Sequence, residues 1–397
     1  MKSEWEYRRL GELVSFSSGG TPSKKRIDYW NGDIPWISAK TLKSEKITSS
    51  DLFITPSGLS SGSKIAPKGS ILLLTRGSGL FNDLPIGMVE SEVAFNQDIK
   101  CLNSYGEIEN EFVFYWLQSQ KKYLMAKVDV TGIGAGKFDL DFLQELQVPF
   151  PDKKVREKII AIATAISDKI EANKKVNDNL EQQVMTLFRK MFVDTNNDNR
   201  YECRVDEYFD ISIGKTPPRK ESQWFSMNPV DCVWVSISDM GSCGLYISDS
   251  SEYLTHESIE RFNVKIVPDN TVILSFKLTV GRVAITDGDM TTNEAIAHFK
   301  TDKTEINEYL YCYLKEFNYQ TMGSTSSIAT AVNSKIIKAM PFIVPADDEL
   351  VEFHAFAAPM FAMIKANQKE NVRLTELRDS LLPRLMSGEI DVSDIQL

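Results

Sequence analysis

The sequence predicts an α+β protein built from two tandem, similar mixed domains, each followed by one long helix. Three observations predict this. The chain has 397 residues, beyond the roughly 250–300 at which a single core stops growing, so it holds more than one domain. It repeats itself at an offset of about 194 residues, in two long copies and not as a string of short repeats. Each copy ends in apolar residues spaced alternately by fours and threes, the pattern of a helix that pairs with another.

Each copy opens with strands. Short apolar or β-branched runs (Ile34–Ile37, Ile71–Thr75, Ile86–Val89 and Ile99–Leu102) lie between Gly, Pro, Ser, Asn and Asp turns. An amphipathic helix is expected over Glu111–Met125, with its partner over Glu308–Phe317. The closing strands end in Val148-Pro149-Phe150-Pro151 and Pro341-Phe342-Ile343-Val344-Pro345, where proline stops the strand before the long helix begins.

The correspondence runs from end to end. Gly19-Gly20-Thr21-Pro22 answers Gly214-Lys215-Thr216-Pro217 at an offset of 195, and Asp33–Ser38 answers Asp231–Ser236 at 198. Lys64–Pro67 with Ile71–Leu73 answers Lys265–Pro268 with Val272–Leu274 at 201, and Asn96-Gln97 answers Asn293-Glu294 at 197. From Ile170 to Leu187 the offset then locks at 194. Loops tolerate insertions and packed helices do not, so the locked part is expected to be one unbroken helix per copy. Asn173, Asn177, Asn367 and Asn371 fall at matched seam positions, where a buried amide weakens pairing but fixes register. Pro383 is expected to kink or end the second helix. The boundaries that follow are 1–151, a first long helix over 152–195, 196–345, a second long helix over 346–388, and a tail over 389–397.

Composition narrows the function. There is no run of about 18 apolar residues and no apolar signal region at the start, so a cytoplasmic protein without a membrane span is expected. The five cysteines form no C-x-x-C pair and read as reduced thiols; no metal site is expected. Histidine is limited to His256, His298 and His354. The net charge is −10 with residues 1–199 neutral in sum, which neither supports nor excludes DNA, because phosphate binding needs only a local basic surface.

Several patterns resemble catalytic motifs and fail on spacing. Gly132-Ile133-Gly134-Ala135-Gly136-Lys137 is one residue short of a P-loop and is followed by Phe138, not by the Ser or Thr that holds Mg²⁺. It reads better as a turn approaching a ligand or backbone closely. Asp152 and Glu157 suit the first turn of a helix better than a nuclease carboxylate cluster. Ser226-Met227-Asn228-Pro229 falls short of the tetrad of DNA amino-methyltransferases. No catalytic residue is assigned.

Both copies carry features suited to DNA. Lys24-Lys25-Arg26 beside Tyr29-Trp30 is a basic run with aromatics, and Arg219-Lys220 beside Trp224-Phe225 repeats it. Arg76 and Lys277 each follow an apolar strand. Asn96, Gln97 and Asn293 offer amides able to pair with base edges. Thr21 and Thr216 in the matched turns, with Trp36 and Trp234 in the matched strands, complete the candidate DNA contacts.

With these residues in hand, the sequence resembles a specificity (S) subunit of type I restriction-modification systems over nearly its whole length. The resemblance rests on the Gly-x-Thr-Pro turn, the Pro-Trp-Ile-Ser strand, the Val-Pro-Phe-Pro exit, Leu187–Phe192, and Leu381-Leu382-Pro383-Arg384-Leu385-Met386-Ser387-Gly388-Glu389-Ile390. The second copy departs from it by lacking a counterpart of Pro35 before Trp234. It implies two target recognition domains, each reading one part of a split double-stranded DNA site, with the two helices pairing as an antiparallel coiled coil. It also implies two methyltransferase subunits docked on the helices and restriction subunits joined through them. S-adenosylmethionine, ATP and Mg²⁺ would then belong to those partners and no cofactor to this chain, itself non-catalytic. The alternative is a two-headed coiled-coil scaffold that binds proteins rather than DNA.

Overall fold

The computed structural model describes residues 5–132, 134–322 and 333–395. It divides into two compact units, Met1–Ile170 with Arg373–Leu397 and Glu171–Val372. Each unit therefore holds one head and a part of both long helices.

In the first unit a five-stranded sheet runs in the order Val14–Ser18, Ile99–Ser104, Ile71–Leu74, Ile86–Val89, Lys46–Ile47. All neighbours are antiparallel except the last pair. Ile71–Leu74 is apolar at four successive positions because it is buried on both faces, between its neighbours and the helix Asn110–Ser119 that contributes Phe112, Val113 and Leu117 to the same core. A second sheet orders Phe53–Ile54, Trp30–Ile37, Val93–Phe95 and Lys64–Ala66, with Trp30–Ile37 and Val93–Phe95 parallel. Glu6–Arg9 pairs antiparallel with the closing strand Gln147–Phe150. The second unit repeats this plan. Asp210–Ile213, Ile296–Lys300, Val272–Ser275, Val283–Thr286 and Tyr246–Ile247 form its five-stranded sheet, and Tyr201–Arg204 pairs with Pro341–Val344.

The amphipathic helix expected over Glu111–Met125 is two helices, Asn110–Ser119 and Lys121–Met125, broken at Gln120. The Ser119 hydroxyl donates to the Trp116 carbonyl at 2.6 Å, a local bond that competes with the helical ladder. Its partner in the second unit is the single helix Asn307–Glu316.

The long helices span Lys153–Phe188, continued by a π turn over Arg189–Val193, and Asp347–Met386. They run antiparallel. In the first unit Ile159 and Ala163 share a core with Leu382, Leu385 and Met386; in the second, Val184 and Phe188 share one with Phe353, Ala357 and Phe361. Between these apolar stretches the seam is polar. Asn173 Nδ2 donates to Asn371 Oδ1 at 2.9 Å and to Glu370 Oε2 at 2.7 Å, and Asn367 Nδ2 donates to Asn177 Oδ1 at 2.8 Å. Arg378, at a seam position, instead grips both carboxylate oxygens of Glu45 in the first head at 2.7 and 2.8 Å.

Pro383 does not end the second helix. It is exposed, and the buried side chains of Leu382, Leu385 and Met386 hold the chain helical past it. The stop comes at Gly388, with φ +68: Gly388 N donates to Leu385 O and Glu389 N to Arg384 O, the paired bonds of a glycine-capped helix end. Pro359 is likewise accommodated on an exposed position inside the same helix. No helix among the described residues is long and apolar enough to cross a membrane.

Candidate nucleic-acid interface

The matched turns are built alike in the two heads. In the first, the chain leaves the strand Val14–Ser18 through Gly19-Gly20, and Gly20 N donates to Phe95 O at 2.9 Å. A Cβ on Gly19 would lie 2.0 Å from that oxygen, so the approach admits only glycine. In the second head Lys215 N donates to Thr292 O at 2.9 Å, and a Cβ on Gly214 would lie 2.1 Å from Thr292 Oγ1.

Each turn is braced from beneath by a tryptophan. Trp36 Nε1 donates to Gly20 O at 3.1 Å and Trp234 Nε1 to Lys215 O at 3.2 Å. Both rings are core residues, 4% and 2% exposed, so they hold the turns from below, and Trp36 also reaches the floor of the cleft described below. The aromatic-at-a-matched-position signal does not separate a support from a contact. Asn96 supports the neighbouring bend. It is buried, its Oδ1 accepts from Asp98 N at 3.2 Å, and its Nδ2 donates to Asp98 Oδ2 at 3.1 Å, which shapes the bend that exposes Gln97. Asn293, half-buried, accepts from Ala295 N at 3.0 Å in the equivalent bend.

Above the tryptophans the heads diverge. Thr21 Oγ1 donates to the amide oxygen of Gln97 at 2.6 Å, whereas the Thr216 hydroxyl donates to the carboxylate of Glu294. Burial pushes the Glu294 carboxyl up, but the Thr216 hydrogen bond, a backbone N–H and the charges of Lys277 and Arg219 outweigh it and hold the group below its ordinary value. One position thus offers an amide in one head and an ionised carboxylate in the other.

The cations differ in freedom. Arg26 donates to both oxygens of Asp28 at 2.9 and 2.8 Å and lies 4.8 Å over the Tyr29 ring. Arg219 bonds both oxygens of Glu252 at 3.0 and 2.8 Å, its guanidinium 4.3 Å over Phe225 and 4.5 Å over Trp234. Lys24, Lys25, Arg76, Lys220 and Lys277 are exposed and have no ion pair among the described residues. Thr21, Lys24, Trp30, Asn96 and Gln97 border a cleft of about 770 Å³, together with Lys40 and Asp51.

Two exposed lysines escaped the sequence reading. Lys40 lies just beyond the Pro-Trp-Ile-Ser strand, a position equivalent to that which singled out Arg76. Lys137 lies in the P-loop look-alike; Gly136-Lys137 is a short strand opposite Arg76-Gly77, with Lys137 directly across from Arg76. Gly136 there packs within 3.1 Å of Gly77 O at its Cβ position, the close backbone approach expected of that run. Ile133, and residues 324–332 in the second copy, lie outside the described residues. No group of three or more metal-binding side chains occurs among the described residues.

Known proteins resemble the chain as a whole. A family model described as the type I restriction modification DNA specificity domain matches residues 2–182 and again 198–375. The type I restriction enzyme MjaIX specificity subunit of Methanocaldococcus jannaschii is 26% identical over 429 aligned positions, covering 99% of this chain and 95% of its own. The EcoR124I/EcoR124II specificity subunit of Escherichia coli is 31% identical over 163 residues, 41% of this chain and 40% of that one. A crystal structure of the S subunit of a type I restriction-modification system from M. genitalium shares the fold, with a TM-score of 0.53 at 15% identity over 96% of each chain. With two copies of that domain in tandem, the chain belongs to the type I restriction-modification DNA specificity family.

Proposed function

We infer that this chain is the DNA-specificity subunit of a type I restriction-modification complex, and that each head reads one half of a bipartite target through its braced turn. One observation carries the reading: the same threonine-held position is built twice, once around Gln97 and once around Glu294. An amide pairs with the edge of adenine, and a carboxylate accepts from the cytosine amino group, so the two heads suit different half-sites. The paired helices dock the methyltransferase subunits, two of them in our reading, and restriction subunits join through these. S-adenosylmethionine, ATP and Mg²⁺ act in the partners, the chain itself is non-catalytic, and the complex works in the cytoplasm of a prokaryote.

The test is the methylated motif made by the chain together with its methyltransferase subunits: two defined half-sites separated by a spacer of fixed length. Absence of DNA binding in that complex would favour a protein-binding scaffold. Among the cations, free Lys24 and Lys25 are expected to meet phosphate, and Arg26, tied to Asp28, much less so. Replacing both lysines with glutamate is expected to flatten the slope of log affinity against log salt by about two, without unfolding. An unchanged slope would return them to the solvated loop.

A further inference from the structure

The second head holds a leucine where the first holds glycine. The strand registers Leu74 to Ile99 and Ser275 to Ile296 align Arg76-Gly77 with Lys277-Leu278. Gly77 has φ +149, free of cost for glycine; Leu278 has φ +60, a left-handed conformation that ordinary L residues avoid. Thr279 N donates to Lys277 O at 2.6 Å, so Leu278 is the centre of a γ-turn of the rare, strained hand. The turn is clamped. The buried Ser275 hydroxyl donates to Thr279 O at 2.6 Å and accepts from Arg282 N at 3.1 Å, and Gly281 N donates to Ser275 O at 3.0 Å. Leu278 itself is 99% exposed, so no packing within the unit offsets the strain. Strain imposed by an ordered surround and unrewarded by burial points to a ligand.

The surroundings say which ligand. Phe276 N donates to Ala295 O at 2.9 Å, joining this loop to the bend that carries Glu294, and Lys277 and Arg219 act electrostatically on that carboxylate. The leucine thus stands on the proposed base-reading surface, directly beside the exposed cation Lys277. We propose that Leu278 is an apolar wedge that enters the base stack of the half-site bound by the second head, with Lys277 on the neighbouring phosphate. Apolar side chains inserted at a base step unstack and kink the duplex. The proposal rests on the DNA-reading function inferred above.

The complex of the full chain with its methyltransferase subunits is bound to duplexes carrying 2-aminopurine at successive positions of that half-site. The methylated adenine is left out, since its extrusion belongs to the methyltransferase. Wild type is expected to raise the fluorescence at one step; Leu278→Gly and Leu278→Ala are expected to lose the rise, and Leu278→Met to keep it. Leu278→Gly, which relaxes the left-handed turn, is expected to melt no lower than wild type. A rise that survives in Leu278→Gly, or no rise at any position in a complex that methylates its site, would overturn the wedge. So would a markedly lower melting temperature for Leu278→Ala, which keeps the strained turn and removes only the side chain, and would show the leucine packing within the fold. A complex that binds no specific DNA would instead overturn the function and the wedge with it.

Discussion

His298 shows how one residue sets a property of a whole head. It is wholly buried between Ser212 Oγ, 2.9 Å from Nδ1, and Thr292 Oγ1, 2.7 Å from Nε2, directly beneath the turn that carries Thr216. Burial, and then the charge of Lys300, push its pKa down to about 3. Above the unfolded value of about 6.5 the imidazole is neutral in both states and the shift contributes nothing. As pH falls below 6.5 only the unfolded chain takes the proton, so stability is lost progressively until about pH 3. At pH 4.5 the loss is about 2–3 kcal/mol. The first head places Cys101 at the equivalent ladder position, beside Ser17 and Ser70. His298→Cys is therefore expected to reduce the acid sensitivity of the second head between pH 6.5 and 4.5, whatever it does to stability at pH 7. Urea melts with hydrogen exchange read on Val272–Ser275 measure this; equal pH dependence in both proteins would refute it. At this scale the sequence was least legible. Duplication preserves supports as faithfully as contacts, so the sequence alone does not distinguish buried Trp36 from exposed Gln97.

Among the elements, the long helices were readable because a helix seam leaves a rigid period, and the constant offset of 194 marked them as unbroken. The strand Glu6–Arg9 was not, because its partner Gln147–Phe150 lies far along the chain and local pattern carries no trace of the pairing. Nor was the break at Gln120, beside which the Ser119 hydroxyl shares the Trp116 carbonyl with the helical ladder. Pro383 does not end its helix because the buried side chains that follow it hold the next turn. The asparagine layer gives the helices a distinct chemistry at mid-seam, with Asn173 bonded to Asn371 and Asn367 to Asn177. Replacing all four with leucine is expected to raise the melting temperature while admitting other alignments of the two helices, since an apolar layer packs better but discriminates less. Spin labels on the two helices would report it as a broadened distance distribution. One sharp distance, unchanged from wild type, would show that the amides do not set the register.

For the molecule as a whole, the duplication was the most legible feature. The first unit takes in Arg373–Leu397 from the other end of the chain. Leu382, Leu385, Met386 and Val392 are buried in the core of the first head, and Arg378 holds its Glu45. Four such side chains contribute roughly 1.5–3 kcal/mol each. Their sum rivals the 5–15 kcal/mol that usually separates a folded domain from its unfolded chain. A chain stopped after Val372 is therefore expected to lose its N-terminal head, seen as rapid proteolysis within residues 1–151 while the intact protein resists. The same arrangement sets an order of events during synthesis. At roughly 5–20 residues per second, the head translated first waits on the order of ten to forty seconds for its last helix. Throughout that interval the groove destined for Leu382, Leu385 and Met386 stands open on the nascent chain, and the part of the protein made earliest is the last to close.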